Sequence, residues 1–117
     1  MQIDVKSKDN GAILHLNGKV IGDSVSRLRQ IIEDQIDSGV NWIIVDLAGV
    51  PLMDSSALGT IIAGFLKLRE RNGKLVLLNV RENIRNVLAI TKLDSLFEVY
   101  KDMEAALKSI GSGSVAS

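Results

Sequence analysis

The 117-residue sequence contains no cysteine, one histidine and one proline. Without cysteine the chain has no disulfide, no thiolate nucleophile and no cysteine metal site. A single histidine does not make a zinc site either. The lack of cysteine fits a reducing compartment, and the first residues contain no apolar segment of signal-peptide length. The sequence therefore predicts a cytoplasmic protein.

Excess charge of either sign is also missing. The 14 basic and 14 acidic side chains give a formal net charge of zero, so no long-range field favours nucleic acid or an anionic membrane. No apolar run approaches the length of a membrane span. The four aromatic residues are too sparse to form a base-stacking platform. We therefore expect neither a nucleic acid nor a membrane among the partners.

Apolar residues recur in patterns that alternate between strand and helix. The first two predicted strands flank Asn10-Gly11, a dipeptide typical of tight β-hairpin turns. After this hairpin, helical apolar stripes alternate with short apolar runs such as Trp42–Leu47, and the last predicted helix ends at Ile110. The order β-β-α-β-α-β-α-β-α indicates parallel pairing after the opening antiparallel hairpin. We predict a single α/β domain over residues 1–110, with a mixed, mostly parallel sheet and about four helices, and a flexible tail at 111–117.

Signals for catalysis and cofactor binding are weak throughout the chain. Neither Ser55 nor Ser56 lies in the G-x-S-x-G context of a hydrolase nucleophile, and no strand leads into a G-x-G-x-x-G phosphate loop. The strand alternation turns His15 away from its apolar neighbours, so we expect a partly exposed surface histidine. The sequence predicts no catalytic residue, no metal site and no cofactor.

The segment Asp54-Ser55-Ser56 lies between an apolar strand and an amphipathic helix. On the residues alone, one interpretation is simple helix capping, because aspartate and serine are preferred N-caps. The other is a functional site, because the segment follows the carboxyl end of a predicted parallel strand, where open α/β sheets place their sites. The small residues Ala57 and Gly59 would let a partner approach the first turn of the helix.

The sequence from Val45 to Gly59, VDLAGVPLMDSSALG, resembles the core motif of STAS domains. It is most similar to that of the bacterial anti-sigma factor antagonists, in which a hydrophobic-D-L strand precedes M-D-S-S/T-G/A-L-G. Further similarity covers most of the chain and is carried by three flanking segments: 16–20, 72–76 and 90–97.

This resemblance implies a signalling role in transcription regulation, by partner switching. The unphosphorylated antagonist would bind an anti-sigma factor that is also a serine kinase of the GHKL ATPase type, and phosphorylation at Ser55 would release it. A PP2C-type phosphatase would reverse the modification. The resemblance places the following residues in the kinase-facing surface: Asp54, Ser56, Ala57, Leu58 and Gly59.

One position departs from the family pattern. Family members often carry an acidic residue in the loop after the second strand, where this chain has Ile21. We expect Asp23, two residues on, to take its place in partner binding. A second role remains open, because STAS domains also serve as unphosphorylated scaffold subunits of lipid-transport ABC systems or stress-sensing complexes. The intact D-S-S sequence favours the switch.

Overall fold

The computed structural model describes the backbone of residues 1–115 and the side chains of residues 1–111. Within this range the chain forms five strands, four α-helices and a short 3-10 helix at Leu93–Ser95. The strands are β1 (Gln2–Lys8), β2 (Gly11–Asn17), β3 (Trp42–Gly49), β4 (Lys74–Leu78) and β5 (Val99–Tyr100). The helices are α1 (Ser24–Asp37), α2 (Ser55–Glu70), α3 (Glu82–Ile90) and α4 (Met103–Val115).

The five strands form one sheet in the order β1-β2-β3-β4-β5. Strands β1 and β2 pair antiparallel across the predicted hairpin, and every later pairing is parallel. The turn places Asp9 at φ 53°, a left-handed conformation that aspartate tolerates better than most residues. This sheet, with its four helices, confirms the predicted α/β fold.

Helices α1, α2 and α3 cover the same face of the sheet. Right-handed crossovers between strands added in sequence order place every connecting helix on one side. The core on this side contains fully buried side chains from both layers, including Leu28 of α1, Ile61 of α2 and Leu88 of α3. Val87, another apolar residue of α3, is 40% exposed.

Helix α4 packs on the opposite face of the sheet. There Ala106 lies against a second, smaller cluster that includes Ile44 and Val76. Strand β3 is therefore covered on both sides, which accounts for its continuous apolar run Trp42–Leu47. The helix extends to Val115, past the end predicted at Ile110 and into the segment predicted as a tail. Residues 116 and 117 of that segment lie outside the described residues, and the domain boundary at 110 stays a prediction.

Helices α1 and α2 approach each other closely at Gly64. A Cβ atom there would lie 2.8 Å from the Cγ2 atom of Ile32, a buried and stiff β-branched side chain. The same helix carries Gly59, where a Cβ would have no neighbour within 4 Å. The two glycines thus occupy one helix in opposite environments.

Replacing each glycine with alanine separates packing from helix propensity. We expect Gly59→Ala to raise the free energy of unfolding by about 0.5–1 kcal/mol, because alanine favours the helix. For Gly64→Ala we expect a net loss of about 1–2 kcal/mol, since overpacking typically costs about 1–3 kcal/mol. Urea denaturation of both variants measures the difference. Equal changes of the same sign would show that the interhelical contact is not tight.

Candidate functional site

Two loops meet beyond the carboxyl ends of β2 and β3. The backbone N–H of Val20 donates to the carbonyl oxygen of Leu52 at 2.9 Å, and the N–H of Asp54 donates to the carbonyl oxygen of Val20 at 3.3 Å. These bonds form a parallel bridge between Val20 and Met53 outside the regular strands. The loop before α1 and the loop before α2 are thereby joined at the position where Ser55 begins its helix.

The carboxylate of Asp54 makes three hydrogen bonds at this junction. Its Oδ1 atom accepts from the Ala57 backbone N–H at 2.9 Å and from the Ser56 hydroxyl at 2.7 Å. Its Oδ2 atom accepts from the Gly22 backbone N–H in the other loop, also at 2.9 Å. Asp54 is thus the N-cap of α2, in extended conformation, and also a tie between the loops.

These hydrogen bonds stabilise the ionised form of the carboxyl group. The bond from the Gly22 N–H contributes most, followed by that from the Ser56 hydroxyl, and together with the Ala57 N–H they hold the pKa of Asp54 below its ordinary value. The site therefore contains a fixed negative charge at neutral pH, placed at the positive end of the α2 macrodipole.

The two serines after Asp54 differ in their hydrogen bonding. Both are exposed at the start of α2. The hydroxyl of Ser56 is donated to Asp54, whereas the hydroxyl of Ser55 has no hydrogen-bond partner among the described residues. A reagent or enzyme that reaches the helix N-terminus thus meets one free hydroxyl, that of Ser55, beside one already engaged.

The remaining predicted residues of this helix separate into an outer and an inner group. Gly59 lies one turn beyond Ser55 on the exposed side, with open space where a side chain would project. Ala57 and Leu58 are only 0% and 8% exposed. The helix directs both side chains into the core beneath the site, and the place of these two residues in the kinase-facing surface stays a prediction.

Two exposed apolar side chains flank the loop junction. Ile21 is 39% exposed in the loop before α1, and Leu52 is 44% exposed in the loop before α2. Asp23 is exposed in the first of these loops, and its carboxylate makes no capping bond to α1. Sequence reasoning noted Ile21 only as a departure from the family and missed Leu52. Periodic spacing of apolar residues identifies helices and strands, but it does not indicate which single apolar residue of a loop is exposed.

Helix α3 and the residue before it contact the end of β3 and the loop that follows β3. The side-chain amide of Asn83 donates to the carbonyl oxygen of Pro51 at 2.7 Å, and the Arg81 Nε donates to that of Ala48 at 3.0 Å. Both contacts join residues more than 30 positions apart, with separations of 32 and 33. They were not predicted, since no local pattern identifies which carbonyl oxygen a distant side chain will reach.

The histidine lies away from this junction. His15 is partly exposed, as predicted, but its Nδ1 atom contacts Asp46 Oδ2 at 2.7 Å across the sheet. Asp46 Oδ1 also accepts from the Asn79 side chain at 3.2 Å. Within the described part of the chain, no group of three or more acidic, histidine or cysteine residues could hold a metal ion, and no helix is long and apolar enough to cross a membrane.

Known proteins resemble this chain over nearly its whole length. The family model for the STAS domain matches residues 2–106. The anti-sigma-B factor antagonist of Listeria monocytogenes is 27% identical over 109 residues, which span 92% of this chain and 94% of that protein.

Solved structures share the fold. The anti-sigma factor antagonist SpoIIAA in its unphosphorylated form matches with a TM-score of 0.82 at 22% identity, covering 94% of this chain and 97% of its own. The phosphorylated form of SpoIIAA, a Bacillus cell fate determinant, matches with a TM-score of 0.76 at 21% identity, covering 93% and 99%. At these identities the structural likeness shows the fold alone.

The role of the Asp54 carboxylate predicts a pH-dependent stability difference. Asp54→Asn keeps the shape of the side chain but removes the charge, so the variant should have a lower free energy of unfolding than the parent chain at pH 7. A lowered native pKa stabilises the fold above the unfolded-state pKa, near 3.8, and this contribution is lost as the pH falls through the native value. The difference should therefore narrow between pH 5 and pH 3, as followed by urea denaturation.

The matched control is Asp23→Asn, which removes a nearby carboxylate that caps no helix. This variant should have the same free energy of unfolding as the parent chain across the same pH range. If the free energy of unfolding of Asp54→Asn were lower than that of the parent chain by the same amount at every pH, the role assigned to the carboxylate charge would be contradicted.

Proposed function

This chain belongs to the STAS domain family, and from that premise we propose that it is an anti-sigma factor antagonist that acts by partner switching in the bacterial cytoplasm. In its unphosphorylated form it binds an anti-sigma factor that is also a serine kinase of the GHKL ATPase type. Phosphorylation of Ser55 by that kinase releases the complex, and a PP2C-type phosphatase restores the binding form. The domain itself acts by binding and performs no catalysis.

The observation that carries this proposal is the exposed hydroxyl of Ser55 at the first position of α2, which has no hydrogen-bond partner among the residues that the structure describes. A kinase needs a hydroxyl that it can reach without breaking the fold, and Ser55 meets that need. The Ser56 hydroxyl is already donated to Asp54. The difference between the two neighbours supports modification at Ser55 rather than at Ser56.

The surface around Ser55 suits a protein partner. Ile21 and Leu52 supply exposed apolar area on either side of the loop junction. Gly59 has no side chain, so a partner can approach the helix backbone closely beside the serine. Asp23 adds a negative charge at the edge of the same junction. Protein–protein interfaces typically combine such apolar area with polar groups.

Electrostatics explains how one phosphate could separate the partners without unfolding the domain. A phosphoserine adds about −1.5 to −2 charges at neutral pH. In the free domain, the charge lies in solvent at the N-terminus of α2, where unpaired N–H groups and the macrodipole favour anions. In the complex, it would be desolvated beside the Asp54 carboxylate. A mispaired buried charge costs about 2–5 kcal/mol, or roughly 30- to several-thousand-fold in affinity.

Two further observations are consistent with this switch. SpoIIAA, which shares the fold, has both a phosphorylated and an unphosphorylated form, so a domain of this architecture accommodates the modification. An unphosphorylated scaffold subunit would not need an accessible hydroxyl at Ser55. The free hydroxyl therefore favours the switch over a purely structural role.

The proposal predicts the behaviour of three forms of the protein with the GHKL-type kinase of the same bacterium. Chain phosphorylated at Ser55 should bind the kinase at least about 30-fold more weakly than unmodified chain, as measured by calorimetry. Ser55→Ala should bind with the unmodified affinity but accept no phosphate. Ser56→Ala, the matched control, should still be phosphorylated, with the phosphate mapped to Ser55 by mass spectrometry.

Two outcomes would contradict the proposal. One is equal affinity of the phosphorylated and unmodified chains for the kinase. The other is phosphate found on Ser56, rather than on Ser55, in the unsubstituted protein. Stable co-purification with a transporter, with no phosphate at Ser55 in growing or stressed cells, would favour the scaffold role instead.

A further inference from the structure

A small groove between α1 and α2 forms a second surface feature, which does not include Ser55. Its volume is about 70 Å³, roughly that of two water molecules in the liquid. Because β2, β3 and β4 are parallel, the two helices that connect them run in the same direction. Arg29 therefore lies level with Thr60, each about one turn before the close approach of Ile32 to Gly64.

Thr60 lines this groove and carries a buried hydroxyl without a partner. The residue is 7% exposed, and its Oγ1 atom makes no hydrogen bond within residues 1–111. A threonine in a helix can donate its hydroxyl to a carbonyl oxygen three or four residues earlier, but α2 contains no such bond from Thr60. A buried hydroxyl left unpaired destabilises the fold. A hydrogen-bond acceptor supplied from outside the chain would remove that cost.

Three charged side chains surround the groove: those of Arg29 and Glu33 from α1, and that of Lys67 from α2. None of them makes an ion pair or a side-chain hydrogen bond to another residue that the structure describes. Two positive charges and one negative charge leave one positive charge in excess, which matches a monoanion. Because Arg29 is level with Thr60, its guanidinium and the threonine hydroxyl can donate to the same anionic group.

We propose that this groove binds a short-chain aliphatic carboxylate of about the size of propionate. Its carboxylate accepts hydrogen bonds from the Arg29 guanidinium and from the Thr60 hydroxyl, which rotation about χ1 directs toward it. Its alkyl group packs against the apolar wall formed by Ile32, Ile36 and Ala63. The enclosed space of about 70 Å³ holds only about two or three non-hydrogen atoms, so an ethyl group fills it.

A titration of the full chain with sodium propionate, followed by amide NMR at constant ionic strength, tests the site. We expect saturable shifts confined to residues near the groove, in segments 29–36 and 60–67. Acetate, one methylene shorter, should bind about fourfold more weakly. Propionamide, which has a similar shape but no charge, should bind at least about tenfold more weakly. Shifts no larger than those produced by sodium chloride, or equal binding of propionate and propionamide, would overturn the proposal.

Substitutions test the two donors separately. Thr60→Val keeps the shape of the side chain but removes the hydroxyl, so it should raise the dissociation constant for propionate about tenfold. The same variant should raise the free energy of unfolding of the free chain, because the unpaired hydroxyl is gone. Arg29→Gln should also raise the dissociation constant about tenfold. The matched control Arg27→Gln removes an exposed arginine of α1 outside the groove and should leave that constant unchanged.

The opposite results would refute the assignment. Thr60→Val that binds propionate as tightly as the parent chain would show that the hydroxyl does not hold the ligand. A lower free energy of unfolding in that variant would show that the hydroxyl has a partner inside the fold. An equal loss of affinity in Arg27→Gln would show that only general charge is at work. Because no kinase takes part in these measurements, a negative result leaves the antagonist function untouched.

Discussion

The carboxylate of Asp54 connects the two loops that meet at the start of α2, the loop before α1 and the loop before α2. It accepts hydrogen bonds from Gly22 in one loop and from Ser56 and Ala57 at the start of α2. Because these bonds favour the ionised form, the same group supplies the helix cap, the link between the loops and a fixed negative charge. The exposure of Ser55 and the position of Ile21 both depend on this arrangement. Ser55 precedes Ser56 and Ile21 precedes Gly22, and both Ser56 and Gly22 donate a hydrogen bond to the carboxylate.

The first turn of α2 has a buried inner side and an exposed outer side. Ala57 and Leu58 fix the first turn of α2 in the core, while Ser55 and Gly59 on its outer side touch little else. A charge added on the outer side therefore has few contacts to disturb in the free domain. The same charge has a large effect only when a partner excludes water from it. This asymmetry is what a reversible binding switch requires.

The fold was predictable from sequence because its signals are local. Periodicity and the Asn10-Gly11 turn identified the strands and helices, and the Asp54 cap followed from residue type at a helix start. The link from Asp54 to Gly22 was not predictable, since it joins residues 32 positions apart and depends on the bridge between Val20 and Met53. Leu58 belongs to the apolar stripe that predicts α2, and its side chain is buried accordingly.

Amide hydrogen exchange in an Asp54→Ser variant tests most directly whether this carboxylate ties the loops together. Serine can still cap α2 through the Ala57 N–H, but its single, shorter hydroxyl cannot also reach Gly22. We expect exchange at Gly22 to accelerate about tenfold or more, while Ala57 and Val20 keep their protection. Unchanged protection at Gly22, or simultaneous loss at Val20, would contradict the role assigned to Asp54.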